Sequence, residues 1–342
     1  MEKNSVEIIF NDNIPIGHSG KTLNGIVKLT VVDPIKVKEI LLRLRGMADV
    51  KWEADSMTYT SQEEYCKNEF KIVQKEQGQK EDIMFQKDVY IYPFSIQLPS
   101  GIPVSFEGLH GNVRYELEVI VVKSWPFTMY NIALFTVVSE LNLNELPNVS
   151  MPITASKENI VCSLWCTSGT IAATVTAERQ GYVPGETLKF WAEIKNKSSR
   201  NIKYTKAKFV MVIVYHCKEA TRNEIHNIYK SKGPSIAPGS TDTWPAQSVR
   251  IPPLPPSHML GCSIISIRYF VSITAVPAGL SCSIVVPAEV IIGTIPILTE
   301  GQTLPQRDFR RYRITNYSYR IPLYPYYNLD SSNTASNFDI VR

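Results

Sequence analysis

The chain has 342 residues, of which 44% are apolar and 20% are charged. These proportions exclude a largely disordered chain, and the length is enough for two domains that each bury a core. No apolar stretch reaches the roughly 20 residues needed to span a bilayer. The first residues, MEKNSVEIIFNDN, lack the basic-then-apolar order of a signal peptide. We therefore expect a cytosolic protein whose contact with membranes is at most peripheral.

The net charge of +4 is unevenly distributed along the chain. Residues 1–160 contain 16 Lys and Arg against 21 Asp and Glu, a net charge of −5, whereas residues 161–342 contain 20 against 11, a net charge of +9. The basic second half suits an anionic partner, such as a phosphorylated protein or an inner-leaflet surface. A solvated basic face without a partner is the alternative. No dense basic and aromatic patch is present, so nucleic acid is not an expected partner.

The first half begins with signals for long strands. Alternation of apolar and polar residues over 40–52 predicts a half-buried strand, bent at Gly46. Helix-forming residues cluster between about Ser61 and Glu69, which predicts one short helix there.

The outward face of the first long strand carries Arg43, Arg45 and Lys51. One interpretation is a cationic track for an anionic receptor tail or lipid headgroup. The other is an ordinary polar face, which Asp49 and Glu53 on the same face favour.

The stretch SFEGLHGNVRYELEV at 105–119 has two interpretations. Glu107 and His110 between glycines could form a small catalytic or ligand-binding loop. The alternation from Val113 to Val121 instead indicates a core strand entered through a glycine turn. Because neither side chain has a partner in a recognisable catalytic motif, the turn is favoured.

Two landmarks of the first half recur in the second. GKTLNGIVKLTV at 20–31 aligns with GETLKFWAEIKN at 185–196, and VRYELEV at 113–119 aligns with IRYFVSI at 267–273. Strands separated by turns rich in proline and glycine are typical of β-sandwiches. The repeat therefore predicts two similar sandwiches in tandem.

We place the first domain at 1–150, the second at 151–300 and a tail at 301–342. Pro147 and Pro152 disfavour a continuous helix or central strand at the junction. The predicted fold class is all-β, with two tandem sandwiches and a mostly irregular, tyrosine-rich tail that is flexible or partly docked.

The denser basic cluster lies in the second domain, at Arg200, Lys203, Lys206 and Lys208. This cluster is the better candidate for contact with an acidic partner, although a partnerless polar face is about equally compatible with the sequence.

Six tail tyrosines could be phosphorylation or sorting-adaptor sites, or could pack the tail onto a sandwich edge. They are Tyr312, Tyr317, Tyr319, Tyr324, Tyr326 and Tyr327. Packing is favoured for the last three.

Residues with catalytic or metal-binding chemistry are scattered. The six cysteines do not include two closely spaced pairs, which a zinc site of four cysteines would need. The five histidines adjoin no nucleophile motif, and no nucleotide-binding glycine fingerprint occurs. We therefore expect reduced, mostly buried thiols, and no catalytic residue, cofactor or metal site.

Four segments together resemble the arrestin family, specifically the α-arrestins: 17–52, 92–119, 180–202 and 266–297. The resemblance implies two arrestin-like sandwiches without catalytic activity. It also implies a cytosolic adaptor, recruited to the plasma membrane and endosomes. Such an adaptor binds membrane receptors or transporters and directs their endocytosis, protein transport and ubiquitin-dependent sorting, with effects on signal transduction.

The tail departs from the family pattern. Similar proteins often carry Pro-Pro-x-Tyr motifs that bind WW domains of HECT-type ubiquitin ligases. Here the tail has IPLYPYY, without adjacent prolines, and Pro255-Pro256 is followed two residues later by His258 rather than tyrosine. This leaves contact with endocytic machinery open but puts direct ligase docking in doubt. It also keeps an alternative function, a scaffold subunit of a soluble, retromer-like trafficking complex.

Overall fold

The computed structural model describes residues 3–12, 14–75, 81–123, 128–162, 167–218, 220–279, 282–299, 301–311, 322–327 and 329. Ten strands form the first half. They are β1 (Ser5–Phe10), β2 (Ile16–His18), β3 (Thr22–Val31), β4 (Ile35–Ala54), β5 (Met57–Gln74), β6 (Ile83–Phe85), β7 (Asp88–Gln97), β8 (Phe106–Glu107), β9 (Gly111–Lys123) and β10 (Met129–Val138). They build a three-stranded sheet, β1-β3-β7, and a larger sheet, β2-β10-β9-β4-β5, to which β6 and β8 are added.

The second half repeats this plan. Its strands are β11 (Ile153–Cys162), β12 (Thr167–Ala177), β13 (Gly181–Tyr182), β14 (Thr187–Asn196), β15 (Ile202–Cys217), β16 (Ala220–Gly233), β17 (Thr241–Arg250), β18 (Ile265–Pro277) and β19 (Ile284–Ile292). Their sheets are β11-β12-β14-β17 and β13-β19-β18-β15-β16. A hairpin of β20 (Arg307–Arg311) and β21 (Leu323–Tyr327) follows. The all-β tandem sandwich predicted from the sequence is confirmed.

Helical structure in the described residues amounts to single 3₁₀ turns at Leu143–Glu145 and Ser257–Met259. No helix in this part of the chain is long and apolar enough to cross a membrane. The predicted junction near residue 150 falls between β10 and β11.

The long strand predicted at 40–52 is confirmed within β4. The even-numbered residues from Ile40 to Trp52 are buried, and the pairing of β4 with β5 shifts register between Gly46 and Met47. A Cβ at Gly46 would overlap the ring of Tyr115 and the sulfur of Cys66. Glycine is therefore required here because β9 packs its tyrosine directly against the backbone of β4.

The short helix predicted between Ser61 and Glu69 is wrong, because these residues belong to β5. All of these residues except Tyr65 have a register partner on β4, and Glu69 receives hydrogen bonds from the guanidinium of Arg43. A long antiparallel ladder outweighs the small intrinsic helix preferences of glutamate and lysine, which are worth only tenths of a kcal/mol per residue.

The repeated Arg-Tyr pair marks an equivalent hydrogen bond in each sandwich. The hydroxyl of Tyr115 donates to the carbonyl of Pro103 at 2.8 Å, and that of Tyr269 donates to the carbonyl of Pro255 at 2.7 Å. Both tyrosines are buried. Each bond ties the connector that precedes the central strand to that strand, as a tyrosine corner does in other sandwiches.

Replacing Tyr269 with phenylalanine should lower the free energy of unfolding by about 1–3 kcal/mol, because the buried Pro255 carbonyl loses its donor. Urea denaturation followed by circular dichroism measures the change. Tyr130→Phe is the matched control, since Tyr130 is 68% exposed. Equal midpoints for the two variants would contradict the assigned role.

Candidate functional site

A face of four lysines lies on the outer surface of β15 and β16, and we call it the lysine face. Lys206 stands directly opposite Lys232, and Lys208 directly opposite Lys230. Ala207, which lies between Lys206 and Lys208 on β15, is buried in the core. The alternation of the strand therefore places all four ammonium groups on one solvent-facing surface.

The lysine face is held around the aromatic ring of Tyr204. The ammonium groups of Lys206 and Lys232 each lie 4.8 Å from the ring centroid. Such contacts contribute about 0.5–1 kcal/mol each at exposed sites. Like charges directly opposite on neighbouring strands are destabilising, and no ion pair among the described residues involves these lysines. The face therefore carries unneutralised positive charge that an anionic ligand would stabilise.

The other predicted members of this cluster lie at its margin. Lys203 is exposed and sits where the β15–β18 register shifts between Ile202 and Tyr204. Arg200 donates to the carbonyl of Ala278 at 3.3 Å, which ties its guanidinium to the loop after β18. Sequence reasoning found Lys206 and Lys208 but missed the β16 lysines and Tyr204. The alternating YKSKG of β16, which mirrors TKAK in β15, was the available signal.

The arginines of the first-domain track are paired with acids. Arg43 donates to Glu118 at 2.9 Å and to Glu69 at 3.0 Å, and Arg45 lies 3.5 Å from Glu116. The hydrogen bonds that Arg43 donates to Glu69 raise the pKa of the guanidinium above its ordinary value. This surface is thus close to charge-balanced, unlike the lysine face.

Lys51, the third predicted member of the track, is exposed on β4. Its backbone N–H donates to the carbonyl of His110 at 2.7 Å. No cross-strand acid among the described residues pairs with its ammonium group.

The tail tyrosines of β21 are buried between the two sandwiches. The hydroxyl of Tyr324 donates to the Ser105 carbonyl at 3.3 Å, in the first domain. That of Tyr327 donates to the Thr294 carbonyl at 2.7 Å, in the second. Strand β21 therefore touches both domains at once. Tyr312, Tyr317 and Tyr319 lie outside the described residues.

Tyr326 completes the hairpin contact. Its hydroxyl accepts from Nε of Arg250 at 3.3 Å, and the guanidinium of Arg310 lies 4.2 Å from its ring centroid. On the other side, a Cβ at Gly185 would overlap the carbonyl of Tyr327. The glycine that opens the second copy of the repeated Gly-x-Thr-Leu turn thus also admits the tail backbone.

The turn at 105–111 belongs to the first domain and contacts the second. Glu107 accepts from Nε of Arg114 at 2.6 Å and from Nη2 at 2.9 Å, so its carboxylate is already paired. The backbone N–H of Leu109 donates to Glu224 of β16 at 3.1 Å, and the ring of His110 stands edge-on to Tyr215. The favoured interpretation as a turn agrees with these contacts.

Glu224 is 9% exposed and collects donors from both domains. They are the Leu109 N–H, the hydroxyl of Tyr215, and Nε2 of His226 at 2.6 Å. Burial alone would raise the pKa of Glu224, but the hydrogen bonds from His226, Tyr215 and Leu109 hold it below its ordinary value. The carboxylate is therefore a structural anion that joins the sandwiches.

The described residues contain no group of three or more histidine, cysteine, aspartate and glutamate side chains that could hold a metal. Cys66 and Cys217 are buried free thiols, while Cys262 is half-buried and Cys282 exposed. Burial raises the pKa of Cys66 to about 11 and also raises that of Cys262, which disfavours their reactive thiolates. Cys166 lies outside the described residues.

These features define a tandem β-sandwich protein with a cationic face and a docked C-terminal hairpin. The family model described as "Arrestin (or S-antigen), N-terminal domain" matches residues 6–144, and the one for the C-terminal domain matches 167–297. The two matches cover most of the chain, which therefore belongs to the arrestin family and is α-arrestin-like. Proteins of this family are generally non-enzymatic adaptors that bind receptors and trafficking machinery.

Curated relatives agree with this assignment. Arrestin domain-containing protein 17 of Caenorhabditis elegans is 30% identical, over 86% of this chain and 71% of that protein. Human arrestin domain-containing protein 4 is 29% identical, over 81% of this chain and 68% of its own length. Human thioredoxin-interacting protein is 27% identical, over 85% of this chain and 74% of its own length.

Replacing Tyr327 with alanine should undock β21, because the variant loses both a buried ring and the bond to Thr294. Trypsin cleavage after Arg310 and Arg311 should then be several-fold faster, as measured by mass spectrometry of a digestion time course. Leu304→Ala, at a residue 48% exposed, is the control. Cleavage at the wild-type rate would contradict docking through this tyrosine.

Acidification should weaken the contact that the 105–111 turn makes with the second domain. Burial, followed by the charge of Arg222, lowers the pKa of His110 from 6.5, so the folded state favours the neutral ring. The stabilisation that the neutral His110 ring provides is complete above the pKa of this residue in the unfolded chain, and it is lost as the pH falls below that pKa. Thermal unfolding at pH 7.5 and 5.5 should show a smaller drop in midpoint for His110→Asn than for the wild type. An unchanged drop would exclude this role for His110.

Proposed function

We propose that this protein is a cytosolic adaptor that binds the cytosolic segments of membrane receptors or transporters and directs their endocytosis and ubiquitin-dependent sorting. In this proposal it is recruited from the cytosol to the plasma membrane and endosomes. Membership of the arrestin family supports the adaptor class. The proposed binding and sorting of receptors or transporters extend the general behaviour of the family to this chain.

The observation that carries the binding proposal is the lysine face. Its two like-charged cross-strand pairs have no acid partner among the described residues, so they favour an acidic cytosolic segment of the cargo. The first-domain track, with Arg43 and Arg45 already ion-paired, contributes less to the proposed contact. Lys203 and Arg200 would extend the same surface at its margin.

We further propose that the protein acts without catalysis and without direct docking to a WW domain. The paired prolines at 252–253 and 255–256 are buried, so a WW domain could not reach them in the folded state. Tyr324 and Tyr326 of the tail are buried as well. Any ubiquitin ligase would then be recruited through another protein. A pull-down against a panel of WW domains that captured the chain would overturn this part.

Charge reversal at Lys206 and Lys232 should weaken binding of an acidic cargo segment. The probe is a fluorescent ten-residue peptide of aspartate and glutamate, measured by anisotropy at two salt concentrations. The double variant Lys206→Glu/Lys232→Glu should bind about tenfold or more weakly, because glutamates replace two lysines that have no acid partner among the described residues. Wild-type binding should also weaken as salt rises.

The control variant is Lys67→Glu/Lys71→Glu on β5, which makes the same change in net charge in the first domain. An equal loss in both variants would mean that only the overall charge matters. Proximity labelling in native cells tests the wider proposal. A labelled set without receptors, transporters or endocytic components would remove its support.

The alternative is a scaffold subunit of a soluble, retromer-like trafficking complex. The tail hairpin docked across both sandwiches favours a body of fixed shape, as a scaffold requires. Size-exclusion chromatography of cell lysate distinguishes the two functions. A constitutive stoichiometric complex supports the scaffold, whereas transient, stimulus-dependent association supports the adaptor.

A further inference from the structure

Strand β10 has an open edge. Residues Met129–Phe135 pair with β9 on one side, and β2 covers β10 on the other side only at Thr136–Val138. Among the described residues, no strand pairs with Met129–Phe135 from that second side. Backbone N–H and C=O groups along such an edge are available to an additional strand.

This edge lacks the residues that normally prevent strand addition. The sequence MYNIALFTVV contains neither a charged residue nor a proline, and Tyr130 and Ile132 are 68% and 47% exposed. The other long edge strands are protected: β1 carries Glu7, β7 carries Pro93, β11 carries Lys157, β17 carries Pro245, and β5 and β16 carry several charges.

The second sandwich supplies an internal comparison. Strand β19 occupies the place of β10, since it too ends in a short parallel pairing, with β13. Its open portion carries Pro287 and Glu289. Proline removes a ladder donor, and charge on an edge disfavours pairing. The same position in the fold is therefore blocked in the second domain and open in the first.

A cavity of about 390 Å³ lies at the C-terminal end of the open edge. Leu134 and Thr136 of β10 line one wall, and Leu323 and Arg311 of the tail hairpin line another. Arg311 is exposed, and no ion pair among the described residues involves it. The cavity thus places Leu134 and Leu323 beside the positive charge of Arg311, while Glu107 and Arg114, which also line it, form an ion pair with each other.

We propose that the β10 edge binds an extended segment of a partner protein as an added antiparallel strand. The segment carries aliphatic side chains at alternate positions, beside Tyr130 and Ile132, and an acidic residue at its N-terminal end that reaches Arg311. The charge at the cavity favours this occupant. Pairing along one seven-residue strand, about 24 Å long, would bury less surface than the roughly 1,200 Å² of a stable interface between two proteins, so a second copy fits less well.

The probe is an acetylated peptide of alternating isoleucine and threonine with one aspartate at its N-terminal end. Fluorescence anisotropy should show binding to the full chain, and hydrogen exchange should show new protection within 129–135. Ile132→Lys should weaken binding about tenfold or more, because a lysine on an edge opposes strand addition. Val285→Lys, on the blocked β19 edge and 45% exposed, should bind as the wild type does.

A second probe with lysine in place of the aspartate tests the role of the cavity. The wild type should prefer the aspartate probe, and Arg311→Glu should reverse that preference. Binding should survive charge reversal of the lysine face, which separates this proposal from the proposed function.

Three results would overturn the proposal. One is the absence of probe binding at millimolar concentration, and another is protection at a different edge. The third is a concentration-dependent dimer that Ile132→Lys abolishes, which would make a second copy the occupant.

Discussion

The buried carboxylate of Glu224 is the contact through which the two sandwiches are joined on one side. A carboxylate taken out of water costs several kcal/mol unless donors replace its hydration. Here the donors come from Tyr215 and His226 of its own sheet and from the Leu109 N–H of the other domain. The turn of the first domain must therefore stay in place for the second domain to keep its anion satisfied. Opening the joint would leave a charge without its donors, which makes the arrangement of the domains cooperative.

Much of the fold was predictable because strand periodicity depends on local sequence. The alternation in β4 and β9 identified the buried faces of both strands, and the repeated Gly-x-Thr-Leu and Arg-Tyr landmarks indicated two copies of one plan. The helix expected at 61–69 failed because intrinsic propensity is weak, and the partner strand that overrides it lies on β4. A repeat can be read from residues, whereas pairing partners depend on the whole chain.

The candidate site was only half predictable for the same reason. Lys206 and Lys208 lie two residues apart and could be found by inspection. Their cross-strand partners Lys230 and Lys232 lie more than twenty residues away, and only the register of β15 with β16 brings them opposite. Conversely, Arg43 and Arg45 looked cationic in sequence, but register places Glu69 and Glu116 beside them. Charge in a sheet is therefore a property of the pairing and not of one strand.

The docked hairpin has a consequence for biosynthesis. Tyr324 and Ser105 are 219 positions apart, so their contact forms only after both sandwiches have been synthesised. Until then, the surface of the first domain that Tyr324 covers, which includes the Ser105 carbonyl, stays exposed to solvent. Docking of the hairpin is therefore a late step in folding, and a nascent chain arrested before residue 323 would present surfaces that a chaperone recognises.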